Sequence, residues 1–300
     1  MSLKHLLSAL AVAVMAASPA LARDVTHAMG TTTVPDAPQR VVVLTNEGTE
    51  ALLALGVTPV GAARSWLGNP WYAHITEAMD GVEDLGTESG INLELVAAFE
   101  PDLIIGNKQR HEQIYPQLSD IAPTVLSQEL RGDWKINLAL YAQALGKTAE
   151  AETVMTDFDA RVADLSAKLG DSLKEKVSVI RFLAGQTRIY QLDSFSGVVL
   201  KQLGFDRPDN QNVEAFALRV GKESIPDMDG DRIIHFTYDT GDGAGLAAAQ
   251  DYLNDPIWLG LSAVKAGKVN AVDDAIWNTA GGVLAANLLL DDIARIYGVQ

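Results

Sequence analysis

A stretch that contains neither glycine nor proline, residues 147–169, constrains the fold of this chain more than any other feature. Its apolar side chains recur at spacings of three and four residues, as Phe158, Val162, Leu165 and Leu169 do, which is typical of an amphipathic helix. At 1.5 Å per residue, one helix over this stretch is about 30 Å long. Such a helix is long enough to run along the flank of a protein with two lobes and to connect them.

Short apolar runs alternate with helical patterns on both sides of this stretch. Residues 40–45 (RVVVLT) are typical of a buried parallel strand, and the helical pattern that follows over residues 47–55 ends at Gly56. Residues 177–183 (VSVIRFL) and 232–238 (RIIHFTY) are the clearest strands of the second half. Alternation of this kind predicts an α/β fold.

The chain is therefore predicted to form two Rossmann-like α/β lobes that are bridged by one long α-helix. We expect an N-terminal lobe over residues 23–146, the connecting helix over residues 147–170 and a C-terminal lobe over residues 171–300. The length of 300 residues suits two domains, since domains have roughly 150 residues each.

The beginning of the chain, residues 1–22, has the three parts of a secretory signal peptide. The basic Lys4 precedes an apolar run over residues 6–17, and Ala20-Leu21-Ala22 matches a cleavage site with small residues. A lipid anchor on an exported protein needs a cysteine just after the cleavage site, and the chain contains no cysteine. These features predict a soluble protein that is free in the periplasm and is not lipid-anchored.

The composition argues against several classes of function. Asp and Glu number 39 against 23 Lys and Arg, and this formal net charge of −16 argues against a nucleic-acid partner, since phosphate binding needs a surplus of basic residues. The absence of cysteine removes thiolate metal sites and cysteine nucleophiles. His111-Glu112 begins like a zinc-binding helix, but Tyr115 stands where the second histidine is needed. We therefore predict no metal site formed by the protein itself.

Basic and aromatic side chains gather where the predicted strands end. In open α/β sheets, ligands bind beyond the carboxyl ends of the strands. Arg181 is the clearest case, because an arginine near the end of an otherwise apolar strand is costly to bury without a carboxylate or an anionic ligand. Other side chains of this kind are Arg64, Trp66, Lys108, Arg110, Arg131, Trp134, Arg188, Tyr190 and Trp277.

Four segments in this order resemble the periplasmic substrate-binding proteins of ferric-siderophore ABC importers. They are RVVVLTNEGTEALLALGVTPVGAA, INLELVAAFEPDLIIGNKQRHEQIYPQLSDIAPTV, VSVIRFLAGQTRIYQLDSFSGVVLKQLGF and GGVLAANLLLDDI. The resemblance implies a class III periplasmic binding protein, in which a rigid helix bridges two lobes around a shallow cleft. It further implies a monomeric binding protein, not an enzyme, that needs no cofactor and delivers an Fe(III)-siderophore complex to an inner-membrane ABC permease.

The resemblance also implies which side chains contact the ligand. The chelator already surrounds ferric iron with oxygen atoms, so the protein is expected to grip the organic shell, with arginines on carboxylates and aromatic rings on the carbon skeleton. We expect an anionic chelate of hydroxamate or citrate type, held by a local basic patch because the net charge of the chain repels it. The residues concerned are Arg64, Trp66, Lys108, Arg110, Trp134, Arg181, Tyr190, Phe216 and Trp277.

Docking on the permease is implied for one glutamate on each lobe. Glu94 in NLELV and Glu223 in GKESI stand in the motifs that match the family. An acidic residue in a first helical turn is also favoured by the helix dipole. A purely structural role therefore stays open at both positions.

Two alternative functions stay open on the sequence alone. The same fold can bind cobalamin or haem, although haem needs an axial ligand and the chain has few histidines. The second alternative is a periplasmic hydrolase with Ser194 or Ser196 as the nucleophile and His235 as the base, although no nucleophile-elbow motif is present.

Overall fold

The computed structural model describes residues 22–299, so the predicted signal peptide lies outside the described residues except for Ala22. The strands are β1 (Ala22–His27), β2 (Gly30–Pro35), β3 (Val41–Val43), β4 (Gly61–Ala62), β5 (Glu83–Asp84), β6 (Gly86–Thr87), β7 (Gly90–Ile91), β8 (Leu103–Asn107), β9 (Thr124–Ser127), β10 (Val177–Leu183), β11 (Gln186–Tyr190), β12 (Ala217–Val220), β13 (Arg232–Tyr238) and β14 (Val269–Ala271).

The α-helices are α1 (Asn46–Ala54), α2 (Leu93–Ala98), α3 (Lys108–His111), α4 (Tyr115–Ile121), α5 (Trp134–Leu145), α6 (Thr148–Leu169), α7 (Phe195–Leu203), α8 (Ala244–Leu253), α9 (Pro256–Leu259), α10 (Ser262–Lys265) and α11 (Val283–Tyr297). Shorter 3₁₀ turns cover Glu112–Ile114, Arg131–Asp133, Gly170–Lys174 and Lys222–Met228, and a π-helical turn covers Ala275–Thr279. Between residues 22 and 299, no helix is both long enough and apolar enough to cross a lipid bilayer.

The first half of the chain forms a five-stranded parallel sheet in the order β5-β4-β3-β8-β9. Its central strands β3 and β8 are buried along their whole length, as expected for a parallel sheet covered by helices on both faces. Because all five strands run the same way, their carboxyl ends lie along one edge. The segments that follow β3, β8 and β9 are therefore neighbours in space.

The second half forms another five-stranded sheet, in the order β12-β11-β10-β13-β14. Strands β10, β13 and β14 are parallel, whereas β11 and β12 run antiparallel to their neighbours. The turn between β10 and β11 contains Gly185 at a φ of 68°, a left-handed conformation that glycine adopts without steric cost. This hairpin fixes which side chains of β10 and β11 stand opposite each other.

The predicted fold class is confirmed, and the strongest sequence patterns have almost the predicted bounds. Strand β13 has the predicted bounds, and the long helix α6 begins one residue later than predicted. After β8 the chain forms two short helices, α3 and α4, separated by a 3₁₀ turn, and the second residue of α4 is Pro116, which has no N–H to donate. No sequence pattern predicted β12 or the β1–β2 hairpin. The exact lobe boundaries stay a prediction.

Helix α6 packs along both halves of the protein. Its buried face carries Phe158, Val162, Leu165 and Leu169, the residues whose spacing predicted the helix. It contacts α5 on the N-terminal side and α7 and α11 on the C-terminal side. The ring of Phe158 meets the ring of Trp134 edge to face at 5.2 Å between centroids. The helix is therefore held as a rigid strut by apolar packing at several points.

A second connection between the two halves is made by Glu50. This side chain belongs to α1 and is fully buried. Its Oε2 accepts a hydrogen bond of 2.9 Å from the backbone N–H of Ala285, in the first turn of α11, and its Oε1 lies 2.5 Å from Nε2 of His74. Gly282, which precedes α11, has no side chain to cap the helix. The carboxylate of Glu50, which belongs to α1, caps α11 instead.

Glu50→Ala is expected to lower the free energy of unfolding by about 3 kcal/mol, because the buried N–H of Ala285 and the partly buried imidazole of His74 each lose their partner. Urea denaturation measures this loss. Glu152→Ala, an exposed change on α6, serves as the control and should alter stability by less than about 0.5 kcal/mol. Equal effects of the two substitutions would show that Glu50 does not connect the two halves.

Candidate functional site

The carboxyl ends of the two sheets enclose an open cavity of about 450 Å³. Its wall contains residues of both halves of the chain and combines guanidinium groups with aromatic rings. The arginines are Arg110, Arg131, Arg181, Arg188 and Arg219. The rings are those of Trp66, Phe195, Phe216 and Tyr238. A cavity with this wall is suited to an anion that also has apolar parts.

Three of the arginines form a row across neighbouring antiparallel strands. Arg181 on β10 stands directly opposite Arg188 on β11, and Arg188 stands directly opposite Arg219 on β12. Like charges in directly opposed positions of a sheet destabilise it. The row therefore costs folding free energy, and an anion bound against it would relieve that cost.

Arg181 is the buried end of this row. Its Nε and Nη2 donate to the two carboxylate oxygens of Asp274, at 2.6 and 3.0 Å. Its Nη1 lies 3.5 Å from the hydroxyl of Tyr190, and its guanidinium lies 4.8 Å from the ring centre of Tyr238. Burial disfavours the charged form, but Tyr190 and Asp274 outweigh that effect and raise the pKa of Arg181 above its ordinary value. Its charge is therefore largely balanced within the protein.

The remaining arginines of the cavity, Arg131 of the N-terminal half and Arg188 and Arg219 of the C-terminal half, have no such counter-ion. Arg188 donates from Nε and Nη2 to the amide oxygen of Gln186, and Arg131 stacks on the ring of Phe216 at 3.9 Å. Burial is the main cause that lowers the pKa of Arg131. No ion pair within residues 22–299 includes Arg131, Arg188 or Arg219. These three charges are available to a ligand.

The N-terminal wall is built around Glu88. Its Oε1 accepts hydrogen bonds of 2.8 Å from both the backbone N–H and the side-chain amide of Asn46, and its Oε2 lies 3.3 Å from Nε of Arg110. Nε2 of His111 is 3.0 Å from the backbone oxygen of Glu88, and burial lowers the pKa of this histidine to about 4. The guanidinium of Arg110 lies 5.9 Å from the ring centre of Trp66. Arg110 is thus half-exposed, and the carboxylate of Glu88 and the indole ring of Trp66 orient its guanidinium group.

Of the ligand-contact residues expected from the resemblance, the structure brings four to the cavity wall, namely Trp66, Arg110, Arg181 and Phe216. Tyr190 is fully buried behind Arg181 and contacts the ring of Phe216 edge to face. It supports the wall from the inside and does not line the cavity.

Two of the expected cations are directed elsewhere. Arg64 is exposed and forms an ion pair with Asp84 at the edge of the first sheet. Nζ of Lys108 lies 3.8 Å from Oε1 of Glu112, which is one helical turn away. Because residues two apart on a helix point to opposite sides, Lys108 and Arg110 cannot both face the cavity.

The expected ligand contacts of Trp134 and Trp277 are corrected by their burial. Trp134 begins α5 and is 1% exposed, wedged between Phe158 of α6 and Phe195 of α7. Trp277 is fully buried, and its indole N–H donates to Asp292 of α11 at 2.9 Å. Both rings fill gaps between helices, because large aromatic surfaces stabilise a core more than an exposed cleft.

Several wall residues were not assigned a ligand role from the sequence. Arg188 had a usable signal, because a two-residue hairpin turn after Leu183 fixes the register that places Arg188 opposite Arg181. Arg219 had none, since β12 pairs with β11 only after a long connection. Glu47 and Tyr238 also line the cavity, and only the tertiary structure shows this.

The groups of the suggested hydrolase are not assembled. The hydroxyl of Ser194 donates to the backbone oxygen of Gln191 and caps α7, and the hydroxyl of Ser196 is buried without a hydrogen-bond partner. His235 packs against Phe182 and Trp258, and its Nδ1 also has no partner. Neither serine is therefore hydrogen-bonded to His235 as a nucleophile to its base.

Glu94 and Glu223 are both exposed, the first in the opening turn of α2 and the second in the 3₁₀ turn Lys222–Met228. In the part of the chain that the structure describes, neither carboxylate takes part in an ion pair. Across the same residues, no three His, Asp or Glu side chains meet in an arrangement that could hold a metal ion.

Comparison with known proteins gives consistent matches over most of the chain. A sequence model of the family described as periplasmic binding protein matches residues 41–275. The probable siderophore-binding lipoprotein YfiY of Bacillus subtilis is 51% identical over 285 residues, which cover 92% of this chain and 87% of YfiY. The achromobactin-binding periplasmic protein of Dickeya dadantii is 34% identical over 269 residues, which cover 87% of each chain.

Among solved structures, Staphylococcus aureus SirA complexed with staphyloferrin B is similar to this chain with a TM-score of 0.86 and 34% identity. The match covers 93% of this chain and 99% of SirA. The similarity therefore includes both sheets and the long helix between them.

The predicted location is corrected by the comparison with YfiY. That relative is a lipoprotein, which contradicts the prediction of a free periplasmic protein without a lipid anchor. The achromobactin-binding relative is a periplasmic protein, so similar chains occur in both settings. The prediction was wrong because it took the absence of cysteine as evidence for the location of the protein. The folded lobes do not determine that location.

The arginine row makes opposite predictions for two of its members. In the ligand-free protein at low ionic strength, Arg219→Gln is expected to raise the midpoint of urea denaturation, because it removes repulsion from Arg188. Arg181→Gln is expected to lower the free energy of unfolding by about 3 kcal/mol, because Asp274 then stays buried without a cation. Loss of stability on both substitutions would contradict the repulsive row, and 1 M salt should reduce the effect at Arg219.

Proposed function

This chain belongs to the periplasmic binding protein family, and on that premise we propose that it captures a ferric siderophore and delivers it to an ABC permease for iron uptake. Relatives that cover most of its length are named for siderophores, which supports this function over cobalamin or haem binding. The family and these relatives are binding proteins, and we extend this to the chain, which then binds its ligand without converting it.

The observation that carries the proposal is the charge balance of the cavity wall. Five arginines line it, and the carboxylates of Glu88 and Asp274 balance Arg110 and Arg181. Arg131 from the N-terminal half and Arg188 and Arg219 from the C-terminal half form no ion pair within residues 22–299 and keep donors for a ligand. Guanidinium groups bind carboxylates through paired, charge-assisted hydrogen bonds. The ligand that fits is an anion with several carboxylate or similar oxygen groups.

A wall of cations also determines the form in which iron arrives. It repels a bare ferric ion, so iron can enter only inside a chelator whose donors make the whole complex anionic. The indole of Trp66 and the ring of Phe216 offer apolar contact for the carbon skeleton of such a chelator. Citrate-type and mixed citrate-hydroxamate chelates carry both features.

Delivery requires a surface that the permease recognises, and we propose that Glu94 and Glu223 form it. Each is an exposed carboxylate without an ion-pair partner among residues 22–299, and each belongs to a different half of the chain. An exposed acid that the protein leaves unpaired is available to a cation on another protein.

Ligand class is tested by calorimetric titration with ferric staphyloferrin B, ferric achromobactin, ferric citrate, an uncharged ferric trihydroxamate and cobalamin. At least one carboxylate-bearing ferric chelate is expected to bind at submicromolar concentration, and the uncharged trihydroxamate and cobalamin are expected to bind far more weakly. Failure of every iron chelate, or equal affinity for the uncharged one, would contradict the proposal.

For the chelate that binds, Arg188→Ala and Arg219→Ala should each weaken affinity by about tenfold or more, since a hydrogen bond to a charged group contributes about 1.5 to 3 kcal/mol. Arg295→Ala is the matched control, because Arg295 lies near the end of α11 and outside the cavity. An equal loss with the control variant would show that the row does not contact the ligand.

The docking surface is tested by reversing both charges, Glu94→Arg with Glu223→Arg. Uptake of radioactive iron by cells that depend on this protein should be lost, because cations on the permease would then face cations. Chelate affinity measured by calorimetry should stay within about twofold of the unsubstituted protein, since neither residue lines the cavity. Glu152→Arg controls for a change of net charge, and normal uptake by the double variant would remove the assignment.

A further inference from the structure

An acidic side chain lies in the wall of this basic cavity without a cation beside it. Glu47 belongs to the first turn of α1, lines the cavity and is 5% exposed. Its Oε1 accepts a hydrogen bond of 2.7 Å from the side-chain amide of Asn137. Its Oε2 is buried and has no hydrogen-bond partner among residues 22–299. If the carboxylate were ionised, its buried Oε2 would be a strong hydrogen-bond acceptor without a donor.

The groups that face Glu47 make its ionised form still less favourable. Glu50 lies one turn further along α1, Glu88 lies between β6 and β7, and Asp133 precedes α5. The hydroxyl of Tyr141 on α5 is a further titratable group near Glu47. It forms a hydrogen bond of 2.7 Å with the hydroxyl of Ser127. The nearest segment before α11, at Gly282, contributes backbone only.

The cations of the cavity do not compensate the charge that an ionised Glu47 would carry. Arg110 lies 3.3 Å from Glu88, and the charge of Arg131 is influenced mainly by Asp193 among the acids. No ion pair in the described range 22–299 includes Glu47.

Burial raises the pKa of the Glu47 carboxyl well above its ordinary range, and Glu88, Asp133 and Glu50 add to this effect, while the hydrogen bond from Asn137 opposes it. The position in the first turn of α1 also favours a negative charge, but a helix N-terminus contributes only about 0.3 to 2 kcal/mol. Removing a carboxylate from water costs several kcal/mol, so desolvation outweighs the dipole.

We infer that Glu47 stands in the cavity as an uncharged carboxylic acid, which lets an acidic residue line an anion site without reducing its surplus of positive charge. The hydrogen-bond pattern fits this form, since Oε1 accepts from Asn137 as a carbonyl oxygen does and Oε2 is left to hold the proton. The inference deepens the proposed function and rests on it for the identity of the anion.

The first test needs no ligand. A glutamate that is neutral in the folded protein and ionised in the unfolded chain releases a proton on unfolding. Its contribution to stability is therefore full below the unfolded pKa of about 4.3 and is lost as pH rises from there toward the raised pKa of the folded protein. The unfolding constant of the unsubstituted protein, relative to that of Glu47→Gln, should therefore rise about tenfold per pH unit between pH 5 and pH 7. Urea denaturation at several pH values measures this ratio.

Glu129→Gln is the matched control for this series. Glu129 is an exposed glutamate near the same cavity, and its backbone oxygen accepts from the same Asn137 amide. This variant should keep the pH dependence of the unsubstituted protein. A ratio for Glu47→Gln that stays constant from pH 5 to pH 7 would overturn the inference.

The second test uses ferric staphyloferrin B as the probe, compared between the unsubstituted protein and Glu47→Gln at the same pH so that the chelate's own protonation cancels. At pH 6.5 the two affinities should agree within about twofold, because both side chains are neutral. At least tenfold tighter binding by Glu47→Gln would show that the glutamate is ionised and would overturn the inference. If neither protein binds ferric staphyloferrin B, this chelate is not the ligand, and the first test then decides whether Glu47 is ionised.

Should Glu47→Gln fail to fold, the unsubstituted protein decides the question. Labelling the glutamate side-chain carboxyl carbons with ¹³C allows their titration to be followed by NMR. One carboxyl signal is expected at the position of the protonated acid at pH 7, and ionisation of every glutamate at that pH would overturn the inference.

Discussion

Repulsion among guanidinium groups held opposite one another is the constraint around which the cavity is organised. Arg181, Arg188 and Arg219 occupy directly opposed positions on three neighbouring strands, so the sheet brings like charges together before any ligand is present. Asp274 balances only the buried end of the row. An anion that binds to this surface relieves the repulsion among the arginines, and this relief adds to the free energy of binding.

Two rigid connections keep this surface opposite the N-terminal wall. Helix α6 contacts helices of both halves through its apolar face, and Glu50 of α1 caps α11 from inside the protein. Both connections rest on buried groups, which resist displacement because water cannot take the place of their tightly packed partners without a cost in free energy. The wall with Trp66 and Arg110 and the wall with the arginine row are thus held at a defined separation.

The cavity also shows how an acidic protein can hold an anion. The chain has a formal net charge of −16, and an anion at a distance meets a repulsive field. Within the cavity the local balance is reversed, because cations exceed carboxylates and low-dielectric walls strengthen their effect at short range. Salt screens the distant field more than the buried one. An uncharged Glu47 fits this arrangement, since an ionised one would remove a third of the free positive charge of Arg131, Arg188 and Arg219.

The α/β class, the long helix and the succession of the main strands along the chain follow from the sequence alone. Hydrophobic periodicity and glycine or proline at the ends of elements are local properties, which neighbouring residues along the chain express directly. The sequence also singled out Arg181, since an arginine in an apolar strand needs a partner wherever that strand lies. The core positions of Trp134 and Trp277 and the place of Arg219 in the row depend on how distant segments pack together. The same holds for Glu47, which lies in the wall without an ion pair among residues 22–299. Burial and the pairing of distant strands arise when separate segments pack together, and no pattern within one segment specifies which other segment will cover it.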